Sequence, residues 1–259
     1  MKKLLMTCAA STLIMTSSMA KADVMSWVEE TEISGNVGLA SDYLFYGASQ
    51  TAGGFKDGGP AISGGFDLAL PFEVLGGQFY IGTWASNVEW GGTNDQASIE
   101  FDYYGGIAGD SIGTSGISWD LGVWRYSYPY TDVDAGANAI DYVEVYGNLG
   151  YTFEDAAFTP SISVGMYYSD DYFGTDESSI YIPFGVDVAL PMDFGMYFGG
   201  GYFDLDGAAG GDYVHYSVGV TKTVMGVDLD LSWNGNDDQC GVVQGTNCGG
   251  IVFGASQAF

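Results

Sequence analysis

From residue 33 to residue 259, apolar and polar side chains alternate in short runs. Alternation places successive side chains on opposite faces of a strand, so each run predicts a strand with one apolar and one polar face. In 33–46, Ile33, Val37, Leu39, Tyr43 and Phe45 share one parity against Ser34, Asn36, Gly38 and Asp42. In 61–70, Ile62, Phe66, Leu68 and Leu70 oppose Ser63, Gly65 and Asp67. Ile99, Phe101, Tyr103 and Ile107 oppose Ser98, Glu100 and Asp102, and Ile117, Trp119, Leu121 and Val123 oppose Ser118 and Asp120. Val143, Val145 and Leu149 oppose Glu144 and Asn148, and Ile162, Val164, Met166 and Tyr168 oppose Ser161 and Ser163. Ile180, Ile182, Phe184, Val186 and Val188 oppose Ser179 and Asp187. Val214, Tyr216, Val218 and Val220 oppose His215 and Ser217, and Val227, Leu229, Leu231 and Trp233 oppose Asp228, Asp230 and Ser232. Segments 78–90 and 194–204 are strand-like but too rich in glycine to assign faces, and 251–259 closes the series.

The count is about twelve strands, an even number, as single-chain bacterial barrels have. Several approach the roughly nine to eleven residues with which a tilted strand crosses a bilayer. The connections alternate too. The first, third and later odd ones (47–59, 91–96, 126–140, 169–177, 205–211, 234–250) are longer on average and richer in Asp, Asn and Gly. The even ones (71–77, 108–115, 152–158, 191–193, 224–226) include tight turns. Transmembrane barrels pair short periplasmic turns with longer outer loops in this way. The expected fold is therefore all-β, a transmembrane antiparallel up-and-down β-barrel over residues 33–259, with both termini periplasmic. Pro183 cannot donate to a ladder and predicts a local bulge.

The beginning of the chain fits an exported protein. Lys2 and Lys3 precede an apolar run from Leu4 to Met15, and Ala20-Lys21-Ala22 supplies small residues for cleavage. These are the parts of a secretory signal peptide, expected to be cut after Ala22, with 23–32 a periplasmic N-terminal segment. Cleavage would leave three basic residues, Lys56, Arg125 and Lys222, against all 33 acids. Such a chain repels phosphate, so nucleic acid is not an expected partner, and it attracts cations. Aromatics at 15 %, with 19 Tyr, argue against acidic disorder. Outside the cytoplasm, Cys240 and Cys248 are expected to form a disulfide in the last outer loop.

The C-terminal run Ile251, Phe253, Ala255 and Phe259 resembles the terminal strand that outer-membrane assembly machinery recognises. Several phrases together carry a family resemblance: Ser34-Gly35-Asn36-Val37, Ser41-Asp42-Tyr43, Pro60-Ala61-Ile62 with Gly64-Gly65-Phe66-Asp67, Gly82-Thr83-Trp84 with Ser86-Asn87-Val88, Glu144-Val145-Tyr146, Tyr167 to Phe173, and Tyr216-Ser217-Val218-Gly219-Val220. On these the sequence resembles the TorF family of porin-like proteobacterial proteins of unknown function, from about residue 33 to the end. The resemblance implies an outer-membrane location and a porin-like role, and no substrate.

The polar parity holds the candidate chemistry: Asp42, Asp67, Glu100, Asp102, Asp120, Glu144, Asp187, Asp228 and Asp230. If the apolar parity faces lipid, these acids line a wet lumen, which concentrates cations. The expected function is passive, cation-preferring diffusion of small solutes, with lipid, lipopolysaccharide and the assembly machinery as partners. No cofactor, metal site or catalytic residue is expected. The alternatives are a closed structural or adhesive barrel and an omptin-like protease using His215 with Asp170-Asp171. Outer-loop acids such as Asp170, Asp171, Asp176 and Glu177 could also bind calcium, although no calcium-loop spacing is present. Lys222, near its turn, is expected to snorkel to the interface; Arg125 is expected either to do the same or to enter the lumen through a bulge and form a constriction with the acids, with Trp124 and Tyr126 then in an outer girdle.

Overall fold

The computed structural model describes residues 31–52, 58–90, 97–129, 140–205, 211–237 and 249–259. The expected leader, most of the 23–32 segment, Lys56, and Cys240 and Cys248 with their expected disulfide lie outside the described residues. Fourteen strands follow in chain order: β1 (Glu32–Ala40), β2 (Leu44–Phe45), β3 (Ala48–Ser49), β4 (Ala61–Val74), β5 (Gly77–Asn87), β6 (Ile99–Gly109), β7 (Ile117–Ser127), β8 (Tyr142–Thr152), β9 (Ser161–Ser169), β10 (Ser179–Leu190), β11 (Phe194–Leu205), β12 (Tyr213–Val224), β13 (Val227–Asn236) and β14 (Gly249–Ala258). All but β2 and β3 form one closed antiparallel barrel of twelve strands, in which β1 pairs with β4 on one side and β14 on the other. No helix among the described residues is long and apolar enough to cross a membrane.

The face assignment follows the alternation. Ile33, Val37, Leu39, Ile62, Phe66, Leu121, Val145, Val164, Phe184, Leu231 and Phe253 all point outward and are exposed. They form a continuous apolar belt, far larger than the patches a water-soluble monomer exposes, so hydrocarbon must cover it. β5 and β11, whose faces the sequence left open, resolve the same way: Tyr80 and Tyr197 are buried inside, while Ile81 and Phe198 are exposed outside.

The short connections gather at one end. Leu75-Gly76 links β4 to β5, and Met225-Gly226 links β12 to β13. All four residues have positive φ, the geometry of the two-residue hairpin turn that matches strand twist. The ends of β1 and β14 meet at this same end. Gly35 N–H donates to Phe259 O, and Phe259 N–H donates to Gly35 O, both at 2.9 Å. The Phe259 ring lies edge-on to Phe66 at 6.5 Å, so the last residue covers the seam where the barrel closes.

The structure departs from the sequence reading at three places. Pro183 makes no bulge. Its register with β11 runs unbroken through Ile182↔Tyr202 and Pro183↔Gly201. On the β9 side the pairing resumes without a shift after the proline, which has no N–H to offer. The register shift lies instead between Ala69 and Glu73 of β4, the stretch that contains Pro71. Second, β1 ends at Ala40, so Tyr43 and Phe45 are not on its lipid-facing parity. Third, the segment read as an outer loop turns inward. β2 and β3 form a hairpin whose Tyr46, Ser49, Gln50, Thr51 and Ala52 are all buried.

Candidate functional site

The barrel interior at the long-loop end is built from carboxylates and tyrosines. Glu100 and Asp102 project inward from β6 and Glu144 from β8, Asp120 projects from β7 in the half nearer the short turns, and each is at most 5 % exposed. A buried carboxylate is costly unless its lone pairs are used. At Glu100, Glu144 and Asp120 phenol hydroxyls use them. Glu100 accepts from Tyr43 through Oε1 at 2.6 Å and from Tyr128 through Oε2 at 2.7 Å. Glu144 Oε2 accepts from Tyr46 at 2.6 Å and Tyr126 at 2.9 Å. Asp120 accepts from Tyr80 at 2.6 Å, and Tyr80 in turn accepts from Tyr146. Asp67 accepts from Tyr104 at 2.5 Å.

The hairpin seats over this lining. Tyr46 stacks on Tyr181 at 3.7 Å and touches Phe203 at 5.1 Å. Phe45 meets Tyr126 edge-on at 5.3 Å. Asn236 Nδ2 donates to Gly47 O at 3.0 Å, and Trp90 Nε1 donates to Gln50 Oε1 at 2.8 Å. Burial and the neighbouring carboxylates Glu100 and Glu144 push the Tyr43 and Tyr46 hydroxyls well above the usual phenol range, so both remain donors.

The nine sequence-predicted acids divide into three groups. Asp67, Glu100, Asp102, Asp120 and Glu144 are buried on the inner face. Asp187, Asp228 and Asp230 also sit on inward positions, in the short-turn half that holds Asp120 as well, and there Asp187 is exposed and the other two are partly exposed. Asp42 is not on the wall. It lies at the base of the hairpin, where Ser49 Oγ and Thr51 Oγ1 each donate to its Oδ1 at 2.7 Å. Burial raises its carboxyl above the ordinary value, and those two bonds pull it back in part. Asp102 Oδ1 and Asp230 Oδ2 are buried with no hydrogen-bond partner.

The two basic residues of the described barrel face outward. Arg125 is on the lipid-facing parity of β7 and pairs with Asp141 at 2.9 Å. Trp124 and Tyr126 therefore point inward, the reverse of the girdle reading, and Trp124 stacks on Tyr104 at 4.1 Å. Lys222 Nζ donates to Met192 O at the turn and sits 4.6 Å from the centre of the Phe194 ring. No Lys or Arg occupies the inner face among the described residues. His215 is inward but bonds Tyr181 OH through Nε2 at 2.8 Å. Asp171 accepts the backbone N–H of Asp176 at 2.9 Å, and no group of three acid, His or Cys side chains among the described residues is arranged to hold a metal.

The tyrosines were the part the sequence reading missed. The available signal was parity: Tyr104 lies two residues after Asp102, and Tyr142 and Tyr146 flank Glu144 at the same spacing. Each shares a face with an acid, and a phenol on that face is a donor available to the inner wall, as Tyr104 is to Asp67 rather than to Asp102.

A sequence profile described as a bacterial protein of unknown function (Gcw_chp) matches residues 28–252. No curated protein matches the chain. Among solved structures, LpxR from Salmonella typhimurium is similar with a TM-score of 0.47 and 10 % identity, over 87 % of this chain and 99 % of that one. OmpT of Vibrio cholerae is similar with a TM-score of 0.43 and 11 % identity, over 88 % and 97 %. An anion-selective porin from Comamonas acidovorans is similar with a TM-score of 0.38 and 12 % identity, over 88 % and 99 %.

Proposed function

We propose that this chain, which belongs to the Gcw_chp family of bacterial proteins of unknown function, is an outer-membrane channel that passes small cations in preference to anions. The observation that carries the reading is the one-signed interior. Eight carboxylates occupy inward positions of the barrel wall, and neither basic side chain of the described barrel does. A low-dielectric wall around fixed negative charge raises the local cation concentration and excludes anions. Asp102 Oδ1 and Asp230 Oδ2, buried without partners, are the acceptors a hydrated cation would satisfy in passing. The resemblance to the TorF family agrees with a porin-like role in the outer membrane. By the parity of loops and turns, the short-turn end with both termini faces the periplasm.

Planar-bilayer recording in a KCl gradient tests this. A reversal potential of the cation-selective sign is expected, and replacing Asp187 and Asp230 together by Asn should reduce it. A reversal potential of the anion-selective sign contradicts the proposal. A second reading, a barrel with no conduction, is favoured by the packed hairpin, and complete silence of the hairpin-shortened protein described below would establish it.

A further inference from the structure

We infer that residues 41–52 are a displaceable latch that closes the outer half of the lumen, and that Tyr43 and Tyr46 are its pins. The inference rests on the channel reading and adds to it the element that sets whether the channel is open.

Three features separate this hairpin from a permanent plug. First, its own ladder is only two residue pairs, Leu44↔Ser49 and Phe45↔Ala48. The barrel does not depend on it, because β1 and β4 pair directly from Glu32↔Ala69 to Ala40↔Ala61. The hairpin can leave with the wall intact.

Second, backbone bonds tie it only near its two ends, Ser41 N–H to Phe253 O at 2.8 Å and Glu89 N–H to Gln50 O at 2.6 Å beside the Thr51–Glu89 bridge, and between them its attachment is made of side-chain bonds whose loss water can make good. The pins are the Tyr43 hydroxyl on Glu100 and the Tyr46 hydroxyl on Glu144. When the hairpin is seated, these carboxylates are 0 % and 1 % exposed. Seating therefore strips water from two acids and returns a phenol bond to each. Release restores the water and gives up the bonds and the aromatic stacking. Opposing contributions of similar size are what an element with two accessible positions requires.

Third, the backbone is held in conformations that non-glycine residues disfavour. Tyr46 has φ 47 and Ala52 has φ 52. Such strain persists only while surrounding contacts impose it, so it biases the hairpin toward leaving once the pins break.

The test compares the full-length protein with two variants in planar bilayers. In one, Tyr43→Phe and Tyr46→Phe are combined, which removes the pins and keeps the rings. In the other, residues 42–51 are replaced by a short Gly-Ser linker. Insertion as a folded barrel is checked for each by heat-modifiable mobility on a gel. The pinless variant should show an open probability at least about tenfold above that of the unmodified protein, the scale expected when two hydrogen bonds to buried carboxylates are lost. The shortened variant should stay open with a larger conductance and keep cation selectivity. Equal conductance and open probability in all three proteins overturns the latch and leaves the channel reading standing. Silence of all three, with folded barrels, overturns both. A folded pinless variant that gates like the unmodified protein, beside a shortened variant that conducts more, removes the pins and assigns closure to the stacking contacts alone.

Discussion

Buried carboxylates inside a membrane barrel need donors, and at the level of single residues this chain supplies them with phenols rather than with cations. Tyr128 is 2 % exposed and donates to a Glu100 that is fully enclosed. Tyr128→Phe would keep the ring packing against Trp90 and Phe173 and leave Glu100 Oε2 without its bond. The expected cost is about 1.5–3 kcal/mol, as for other hydrogen bonds to charged groups, measured by guanidinium unfolding of the barrel in lipid vesicles. Arg125 is the contrast. Its pair with Asp141 is outward and its side chain is 53 % exposed. Arg125→Ala should change stability by no more than about 1 kcal/mol in the same assay. Equal losses in the two variants would mean that the phenol bonds are not what holds the acids. The acids themselves were legible in the sequence, because their parity is fixed by the strand. Their partners at Tyr43 and Tyr46 were not. Tyr43 continues the apolar parity of β1 in sequence while Tyr46 falls on the opposite one, and only the break after Ala40 brings both over the acids. Alternation cannot register a break where the pattern continues in phase.

At the scale of the strands, the abundance of both Tyr and Gly has one structural cause. Tyr104 lies across Gly82, Tyr80 across Gly106, Tyr146 across Gly122 and Tyr197 across Gly219, in each case from the directly paired residue of the next strand. A phenol ring inside a narrow barrel has to lie along the wall, and only a position without a Cβ lets it lie flat. That is why β5 and β11 were hard to read: their inward positions include glycines, which carry no polarity signal. The existence of both strands was legible, and their facing was not. The same logic bears on Pro183 and Pro71, since the sequence shows that each lacks a donor but not whether its strand keeps register around the gap. Gly122→Val tests the packing claim. The added side chain meets the Tyr146 ring and the Gly105 carbonyl, so overpacking should cost about 1–3 kcal/mol and disturb the Tyr80–Asp120 bond beyond it. Gly250→Ala is the control, because nothing lies within 4 Å of the position a Cβ would take there. Its effect should stay within about 0.5 kcal/mol. Vesicle unfolding curves for the pair decide the point, and a Gly122→Val barrel as stable as its control would refute the seating of tyrosine on glycine.

For the whole molecule, the ordering of polarity from lumen to belt is what places it in a bilayer, and depth along the belt makes that claim measurable. Leu231 is 50 % exposed on the outer face of β13, paired with Val220 on one side and Phe253 on the other. Val224 is also outward, 43 % exposed, but adjoins the Met225-Gly226 turn, two positions beyond Lys222. Lys222 already shows how a cation is accommodated at that level, with its ammonium on the Met192 carbonyl beside the turn. An arginine at Val224 could use the same interface. One at Leu231 would have to cross several residues of hydrocarbon to reach either side. Leu231→Arg is therefore expected to destabilise the vesicle-embedded barrel by about 2–4 kcal/mol, and Val224→Arg by about 0–1 kcal/mol. In detergent micelles, where a thin and deformable shell replaces the bilayer, the difference between the two should shrink. If the belt packed against protein rather than lipid, the penalty at Leu231 would not depend on the surrounding medium. Its persistence in micelles at the vesicle value would then rule out lipid as the neighbour of β13.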